Sequence, residues 1–557
     1  MPKTSTRYLK YDEIVHFLRE CERDYPDLVE LESIGKSYEG RDIWACVLTQ
    51  KRTGKHQEKP AIYVDGNHHA GEVTGSAVCL YTIEYLLENY TTDPEVKELL
   101  DTRVFYIVPR VSPDGAELYL TTPYMLRSSV RPYPDEDLGD GLVPEDIDGN
   151  GLILQMRWED PLGQWKVSEK DPRVMVRRKP GDSGGKYYRM VTEGIFRGWD
   201  GVEIKQAKPK YGLDLNRNYP GSWRAANQQT GPGPFPLSEP ETRAVADFFR
   251  NHPNIAFAFS HHTYGGDLLR PRTAGPDSDM NPQDLAMLKS IGRRGEQITG
   301  YKCVSIFESF TMDPRRPSTG SFLDFTYDVR GIMAMAIELW DLDGRSGIPK
   351  RGLRQRINLS EDEKEEDDIK ILKYVDKELA GEGWHPWTEF DHPQLGKVEL
   401  GGLDPKFLRQ NPPPKLLTEE CHKVTLFTLV LAGTTPRLVA ENANCRPLGG
   451  GDYEFTCALK NAGYLPTCSS QQALAVHAVS PLKLKVFPES GVSLVSGKEY
   501  EELSHLPGWS GGPFGQERKI RLVFRTEGDK RGKLATVRIE SERAGTLELT
   551  VSTREDS

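Results

Sequence analysis

The chain has 557 residues, a formal net charge of −11 at pH 7, and hydrophobic and charged shares of 37% and 28%. This length exceeds what one hydrophobic core usually organises, so we expect two or more domains. The acidic balance disfavours nucleic acid as a partner, because an acidic surface repels polyanions. No apolar run approaches the ~20 residues that span a bilayer, so we expect no membrane span.

The first 340 residues alternate short apolar runs with amphipathic segments, which predicts an α/β sheet with helices packed against it. Helices are expected where apolar residues recur on one face, as Ile14, Phe17 and Leu18 do. The expected buried strands are short, apolar and bounded by turn-forming residues. They cover 61–65, 103–108, 255–260 and 332–339.

The stretch from about 133 to 210 is rich in Pro, Gly and charge, and we interpret it as a surface insertion. Within it, Asp146, Asp148 and Asn150 alternate ahead of Gly151, as in the first half of an EF-hand loop. The twelfth position holds Arg157 instead of the usual Glu. The motif predicts calcium, and an Asx-rich turn is the alternative.

The last third of the chain changes pattern twice. An acidic run after Ser360 predicts a capped, solvated helix within a connector covering 346–394. From about residue 395 to 557 the apolar residues alternate with period two between Gly and Pro turns, which predicts a C-terminal β-sandwich. This part carries no catalytic cluster, so we expect an accessory domain.

The N-terminal segment MPKTSTRYLKYDEIVHFLRE lacks the apolar core of a signal peptide, which favours the cytoplasm, with a trimmed start as the alternative. Eight cysteines are scattered along the chain without zinc-finger pairing, so we expect reduced thiols. One bridge among Cys445, Cys457 and Cys468 is the alternative for a secreted protein.

Two histidine-containing segments predict a metal site. His69 and Glu72 lie three residues apart where a strand ends and a helix begins. An imidazole and a carboxylate suit zinc, and a third ligand would leave one position open for water. Either His261 or His262 can supply that ligand, because both follow the strand predicted at 255–260.

Two further segments carry groups suited to catalysis. Asn216 and Arg217 lie in a turn-like segment, where the planar guanidinium of arginine matches a carboxylate. Glu338 interrupts an apolar run, where a carboxylate is costly unless it is paired, metal-linked or catalytic.

Taken together, these segments resemble the zinc carboxypeptidase family over roughly residues 8 to 345. The family pattern of His-x-x-Glu, Asn-Arg, His followed by Thr-Tyr, and a late Glu occurs here in order. The matching residues are His69, Glu72, Asn216, Arg217, His262 and Glu338. The resemblance favours His69 over His68 and His262 over His261. It implies a mixed, mostly parallel sheet with flanking helices over residues 1–345.

The resemblance also implies roles. One zinc ion per chain would be held by His69, Glu72 and His262, and a zinc-activated water would attack with Glu338 as general base. Arg127 would polarise the scissile carbonyl, with Arg131 as a nearby competitor. Asn216 and Arg217 would hold the free C-terminal carboxylate of a peptide substrate, and Leu323 would line the specificity pocket.

The sequence departs from the family in one loop. Relatives of carboxypeptidase A carry a substrate-binding tyrosine there, whereas this chain reads SFTMDPRRPSTGSF. Arg315 and Arg316 occupy the neighbourhood instead, which admits an acidic substrate tail. Two other functions stay open: a non-catalytic peptide-binding protein on the same fold, and an amidohydrolase of cell-wall peptides or acyl-amino acids. The oligomeric state is also left open.

Overall fold

The computed structural model describes residues 4–135, 137–509, 517–527 and 531–553. The strands are β1 Val29–Lys36, β2 Asp42–Leu48, β3 Ala61–Gly66, β4 Val104–Val108, β5 Gly141–Pro144, β6 Gln155–Glu159, β7 Trp165–Val167, β8 Met175–Arg177, β9 Tyr188–Thr192, β10 Gly194–Arg197, β11 Ile255–Thr263, β12 Asp267–Arg270, β13 Lys302–Ser305, β14 Met333–Leu339, β15 Trp384–His392, β16 Gly396–Leu403, β17 Leu438–Gly449, β18 Asp452–Asn461, β19 Leu482–Pro488, β20 Val492–Ser496, β21 Tyr500–Leu503, β22 Arg518–Thr526, β23 Lys533–Ser541 and β24 Gly545–Ser552.

The α-helices are α1 Tyr11–Asp24, α2 Val73–Asn89, α3 Pro94–Thr102, α4 Pro113–Thr121, α5 Pro240–Asn251, α6 Pro282–Thr299, α7 Ile306–Phe310, α8 Phe322–Asp324, α9 Leu342–Arg345, α10 Leu353–Ile357, α11 Glu361–Leu379, α12 Pro414–Thr434 and α13 Gln471–Ala475. Short 3₁₀ turns cover Lys51–Thr53, His56–Glu58, Leu215–Arg217 and Asp277–Asp279. Two π-helical segments cover Phe325–Val329 and Pro405–Gln410.

An eight-stranded sheet in the order β1-β2-β4-β3-β11-β14-β12-β13 forms the centre of the first domain. Its middle strands β4, β3, β11 and β14 are parallel neighbours, and β1, β2 and β12 add antiparallel pairings. Helices cover both faces, which is why β3, β4 and β11 are buried along their whole length and mostly apolar. The prediction of a mixed, mostly parallel sheet with flanking helices is confirmed.

The helices divide between the two faces of this sheet. One face packs against α1, α2, α6 and α12, which contribute apolar side chains such as Phe17, Val78, Leu288 and Phe427 to one cluster. The other face packs against α5. Helix α12 lies far beyond residue 345 in the sequence, yet it contributes to the core of the first domain.

The insertion forms a sheet of its own together with a later part of the chain. Its order is β15-β16-β6-β9-β7-β8, so strands from the insertion pair with strands that follow the acidic helix α11. Strand β16 pairs antiparallel with β6, and Arg157 reaches Glu399 at 2.9 Å across this pairing. The Ser360 cap of α11 is present, with its Oγ accepting the Glu363 N–H at 3.3 Å.

The C-terminal sandwich consists of two four-stranded antiparallel sheets, β17-β18-β22-β20 and β21-β19-β23-β24. Its apolar core includes Phe455, Leu482 and Val537. The expected start near residue 395 is wrong, because β16 has the same alternating pattern but pairs with the insertion. The sandwich begins at Leu438. All eight cysteines are free thiols, and no helix among the described residues has the length and apolar character to cross a membrane.

Candidate active site

Three neighbouring parallel strands bring the candidate residues to one edge of the central sheet. His262 lies directly across from Glu338 in the register of β11 and β14. Strand β3 ends at Gly66 beside His261, and His69 and Glu72 follow in the turn that leads into α2. Because the carboxyl ends of parallel strands meet at one edge, residues far apart in the sequence converge there.

His69, Glu72 and His262 form a compact, buried cluster whose ligand atoms all lie within 4.8 Å of one another. The Nδ1 atoms of His69 and His262 are 3.1 Å apart, and they approach Glu72 Oε1 and Oε2 at 2.8 and 2.9 Å. Each residue is at most 4% exposed. Two ring nitrogens and a carboxylate that converge on one point make a donor set suited to zinc.

The charge on Glu72 is stabilised by its surroundings. Burial opposes ionisation, but His69 and His262 outweigh it and hold the pKa of Glu72 below its ordinary value. Glu72 also lies at the N-terminus of α2, where the helix dipole favours a negative charge. The group is therefore an anionic ligand at neutral pH.

The adjacent histidines have different surroundings. His68 is fully buried, and its Nε2 lies 2.8 Å from the Tyr219 hydroxyl. His261 is also fully buried, and burial lowers its pKa to about 3. Neither belongs to the three-residue cluster, so the structure places His69 and His262 at the site and their neighbours behind it.

Asp214 is a site residue that the sequence interpretation missed. Its Oδ1 lies 3.2 Å from His69 Nε2, and its Oδ2 accepts a hydrogen bond from Arg127 Nε at 3.0 Å. Burial opposes ionisation, but Arg127, Arg217 and His69 hold the pKa of Asp214 well below its ordinary value. The available signal was its place in GLDLNRN, two residues before Asn216.

The two candidate arginines contact different partners. Arg127 faces the cluster, with Nη1 3.4 Å from Glu72 Oε1. Arg131 instead donates two hydrogen bonds to Glu239, at 2.9 and 2.6 Å. Arg127 therefore has access to the site, while Arg131 is engaged outside it.

A cavity of about 180 Å³, here called the central cavity, joins these groups. It is lined by His69, Arg127, Asn216, Arg217, His262, Leu269, Thr273, Ile306, Phe310, Thr311, Ser318, Ser321, Phe322, Leu323, Ala336 and Glu338. Asn216 Oδ1 accepts the Phe322 N–H at 2.8 Å, which fixes the orientation of the amide. Arg217 is held beside it, with Nη1 donating to the Asn216 carbonyl at 2.6 Å.

Arg315 and Arg316 do not line the central cavity. Arg315 is paired with Asp313 at 3.0 Å, and its side chain is 89% exposed. The loop therefore contributes Phe310, Thr311 and Ser318 to the cavity and keeps Arg315 in solvent. The expectation that these arginines admit an acidic substrate tail receives no support from this arrangement.

Glu338 lies at the cavity wall between like charges. Burial, followed by the nearby Glu72 carboxylate, raises the pKa of Glu338 well above its ordinary value. On its other side Asp267 pairs with it in the register of β12 and β14, and Lys350 contacts Asp267 at 2.9 Å. A carboxyl group with a raised proton affinity is suited to accept and return a proton.

A second acidic cluster lies in the insertion. Asp146, Asp148 and Glu193 have ligand oxygens within 4.8 Å of one another. Asn150 lies in the same turn, and its amide donates to Asp148 Oδ2 at 3.0 Å. Glu193, which is fully buried, comes from a position that the EF-hand pattern does not include.

Comparison with known proteins agrees with the sequence resemblance. Residues 14–351 match the zinc carboxypeptidase family, which is more than half of the chain. The protein therefore belongs to the zinc carboxypeptidase family. Residues 437–552 match a domain of unknown function (DUF8731), which coincides with the sandwich.

Individual relatives share low sequence identity with this chain or match only a small part of it. Carboxypeptidase B of Rattus norvegicus is 24% identical over 63% of this chain and 68% of its own length. A zinc carboxypeptidase of Saccharothrix mutabilis subsp. capreolus is 37% identical over 22% of this chain, and that match spans only 28% of the relative. The carboxypeptidase A structure from Helicoverpa armigera aligns with a TM-score of 0.40 and 18% identity, over 66% of this chain and 72% of its own.

Proposed function

We propose that this protein is a zinc-dependent carboxypeptidase that removes the C-terminal residue of peptides. The observation that carries the proposal is the central cavity, whose lining includes two of the three cluster residues, a carboxyl group of raised pKa and an arginine–asparagine pair. Family membership supports the same chemistry.

Each residue of the site has a separate role in the proposed reaction. A zinc ion held by His69, Glu72 and His262 would supply Lewis acidity toward a water and the scissile carbonyl. Glu338 accepts the proton of the attacking water and returns it to the leaving amine. Arg127 donates hydrogen bonds to the oxygen that becomes negatively charged, and Asp214 holds that arginine in position.

Asn216 and Arg217 would select the terminal peptide bond. The guanidinium of Arg217 and the fixed amide of Asn216 face the cavity, where they can bind the carboxylate of a terminal residue. The cavity is too small for more than a single side chain, so the next bond along the chain is held at the metal cluster.

The lining indicates which terminal side chain fits best. Leu269, Ile306, Phe310, Leu323 and Ala336 make much of the cavity wall apolar. No acidic side chain among the described lining residues other than Glu338 is available to bind a basic one. An apolar terminal residue is therefore the preferred substrate.

The test is release of the terminal amino acid from N-blocked dipeptides that end in Phe, Leu, Asp or Lys. Zinc-dependent release is expected, fastest for Phe and Leu, and lost by at least about a hundredfold in Glu338→Gln, as expected for the loss of a general base. Asp313→Asn on the exposed loop is the control with the same kind of change. Zinc binding without release of any terminal residue would favour a non-catalytic binding protein or an amidohydrolase.

For the insertion we propose a structural calcium ion bound by Asp146, Asp148 and Glu193. Burial and the two aspartates raise the pKa of Glu193, so a divalent cation would relieve repulsion among the three carboxyl groups. Ile147 and Leu154 donate backbone N–H groups to Glu193 at 2.8 Å each, which places this residue directly beneath the loop. The ion would then rigidify the loop between β5 and β6.

A further inference from the structure

A second and larger cavity lies between the insertion sheet and helix α11. This space of about 560 Å³, here called the aromatic cleft, is not part of the central cavity. It is lined by Met125, Gln155, Trp165, Arg173, Val174, Met175, Met190, Tyr264, Asp368, Leu372, Trp384, Trp387, Leu403, Pro405, Arg409 and Gln410. Three tryptophans at one site, in a chain that has nine, indicate a surface built for contact.

The aromatic cleft begins next to the metal-ligand cluster. Tyr264, which is 46% exposed, follows His262 by two residues, and Met125 precedes Arg127 by two. Gln410 packs so closely over Gly71 that a Cβ on this glycine would lie 2.6 Å from Gln410 Oε1. Gly71 lies between the ligands His69 and Glu72, so the cleft adjoins both ligand-bearing segments.

The position of the cleft relative to the proposed substrate follows from the central cavity. If the terminal carboxylate is at Asn216 and Arg217 and the terminal side chain fills the apolar pocket, the scissile bond lies at the metal cluster. The preceding residues must then leave past the segments around Gly71, Arg127 and His262. These are the segments that the aromatic cleft adjoins.

The chemistry of the lining favours an apolar occupant. Its charged groups are already paired: Arg173 with Asp171 and Asp376, both at 2.8 Å, and Arg409 with Asp368 at 3.5 Å. The remaining surface is mostly tryptophan, methionine, leucine and valine. Methionine side chains are flexible and polarisable, so they adapt to aromatic groups of different shape.

We propose that the aromatic cleft binds apolar and aromatic side chains of the peptide upstream of the scissile bond, so that the protein prefers extended apolar peptides over short ones. The inference rests on the proposed carboxypeptidase function. The walls of the aromatic cleft include residues of β6, β7, β8, β9, β15 and β16, which lie outside the central sheet that carries the metal cluster. The insertion sheet is thereby a specificity device.

The test compares three N-blocked substrates that share the same terminal dipeptide: the dipeptide alone, a hexapeptide with Phe and Leu upstream, and a hexapeptide with Ser and Gly upstream. The apolar hexapeptide is expected to exceed the polar one in kcat/KM by about tenfold or more, because burying one aromatic side chain is worth at least that factor. Trp165→Ala and Trp384→Ala should each remove most of this difference while leaving the dipeptide within about twofold, as remote binding energy predicts.

Matched controls separate binding from folding. Trp509→Ala removes a tryptophan that is 74% exposed on the sandwich, and it should leave kcat/KM for all three substrates unchanged. Trp384→Phe keeps an aromatic ring in the cleft, so it should retain most of the preference. Binding of labelled hexapeptides to the Glu338→Gln variant, followed by fluorescence anisotropy, gives the same comparison without turnover.

Equal kcat/KM for both hexapeptides in the wild type would overturn the inference, as would an equal loss on dipeptide and hexapeptide in the tryptophan variants. A gain from an attached disaccharide but not from apolar residues would also overturn it, since the cleft would then recognise glycan. Failure of the proposed function looks different, because no substrate would be cleaved while the anisotropy measurement still reports whether apolar peptides bind in the cleft.

Discussion

Asp214 connects the proposed metal ligand His69 to Arg127, so one carboxylate contacts both sides of the proposed reaction centre. The sequence could predict the ligands because their spacing and their place after strands are characteristic. It could not predict Asp214, because an aspartate before a turn is usually a cap, and this one indeed also accepts the Asn216 N–H at 2.9 Å. Its contacts to residues 145 and 87 positions away arise only from the fold.

Replacing Asp214 should lower the affinity for zinc more than it lowers the stability of the fold. In Asp214→Asn the amide cannot provide the negative charge that His69 and Arg127 contact, and losing such a partner typically costs about 10- to 100-fold in metal affinity. Zinc content after dialysis against graded chelator measures this, with Asp313→Asn as the matched control. Equal zinc retention in both variants would show that Asp214 only positions the turn.

At the scale of elements, the central strands and the helices before residue 340 follow from local apolar patterns. The insertion does not, because β6 pairs with β16 more than 200 residues later, and nothing within either segment specifies its partner. The EF-hand pattern likewise indicated Asp146 and Asp148 but not Glu193. Asn150, also expected as a ligand, donates a hydrogen bond to Asp148 within the same turn.

Calcium should stabilise the insertion if the acidic cluster binds it. At a calcium concentration a hundredfold above Kd, the free energy of unfolding should rise by about 2.7 kcal/mol relative to chelated protein. Differential scanning calorimetry of the zinc-loaded protein, with calcium or with a calcium-selective chelator, measures the shift. The Glu193→Gln variant should lose the calcium effect while retaining one zinc ion, and identical melting of the wild type in both buffers would exclude the site.

At the scale of the whole molecule, the family match ends near residue 351, but the core of the first domain does not. Helix α12 contributes Leu417, Cys421, Val424 and Phe427 to the cluster that covers one face of the central sheet. The ring of Phe427 lies 5.6 Å from that of Phe259 on β11, the strand that ends in His262. The run VTLFTLVL at 424–431 falls within the span predicted as a β-sandwich, because its alternating pattern suits a strand, but it is part of α12. That prediction is wrong because a helix buried on most sides shows no clear period of 3.6 residues.

Truncating Phe427 should therefore destabilise the first domain. Phe427 is fully buried, and Phe427→Ala is expected to lower the free energy of unfolding by about 3–5 kcal/mol, the usual cost for a buried phenylalanine. Denaturant unfolding of the first domain, followed through its zinc content, measures the change. Phe487→Ala, at a side chain 52% exposed on the sandwich, should change stability by less than about 0.5 kcal/mol. Similar effects in both variants would argue against α12 as part of the core.

The pairing of β6 with β16 also sets an order of events during synthesis. A ribosome has made all the ligands and Glu338 well before it reaches residue 396, so the nascent chain carries β6 with one edge unpaired. An unpaired strand edge can recruit strands of other chains. The aromatic cleft, whose walls include β15 and β16, can be completed only after that interval. The core beneath the metal-ligand cluster also waits for later residues, because α12 follows β16 in the chain.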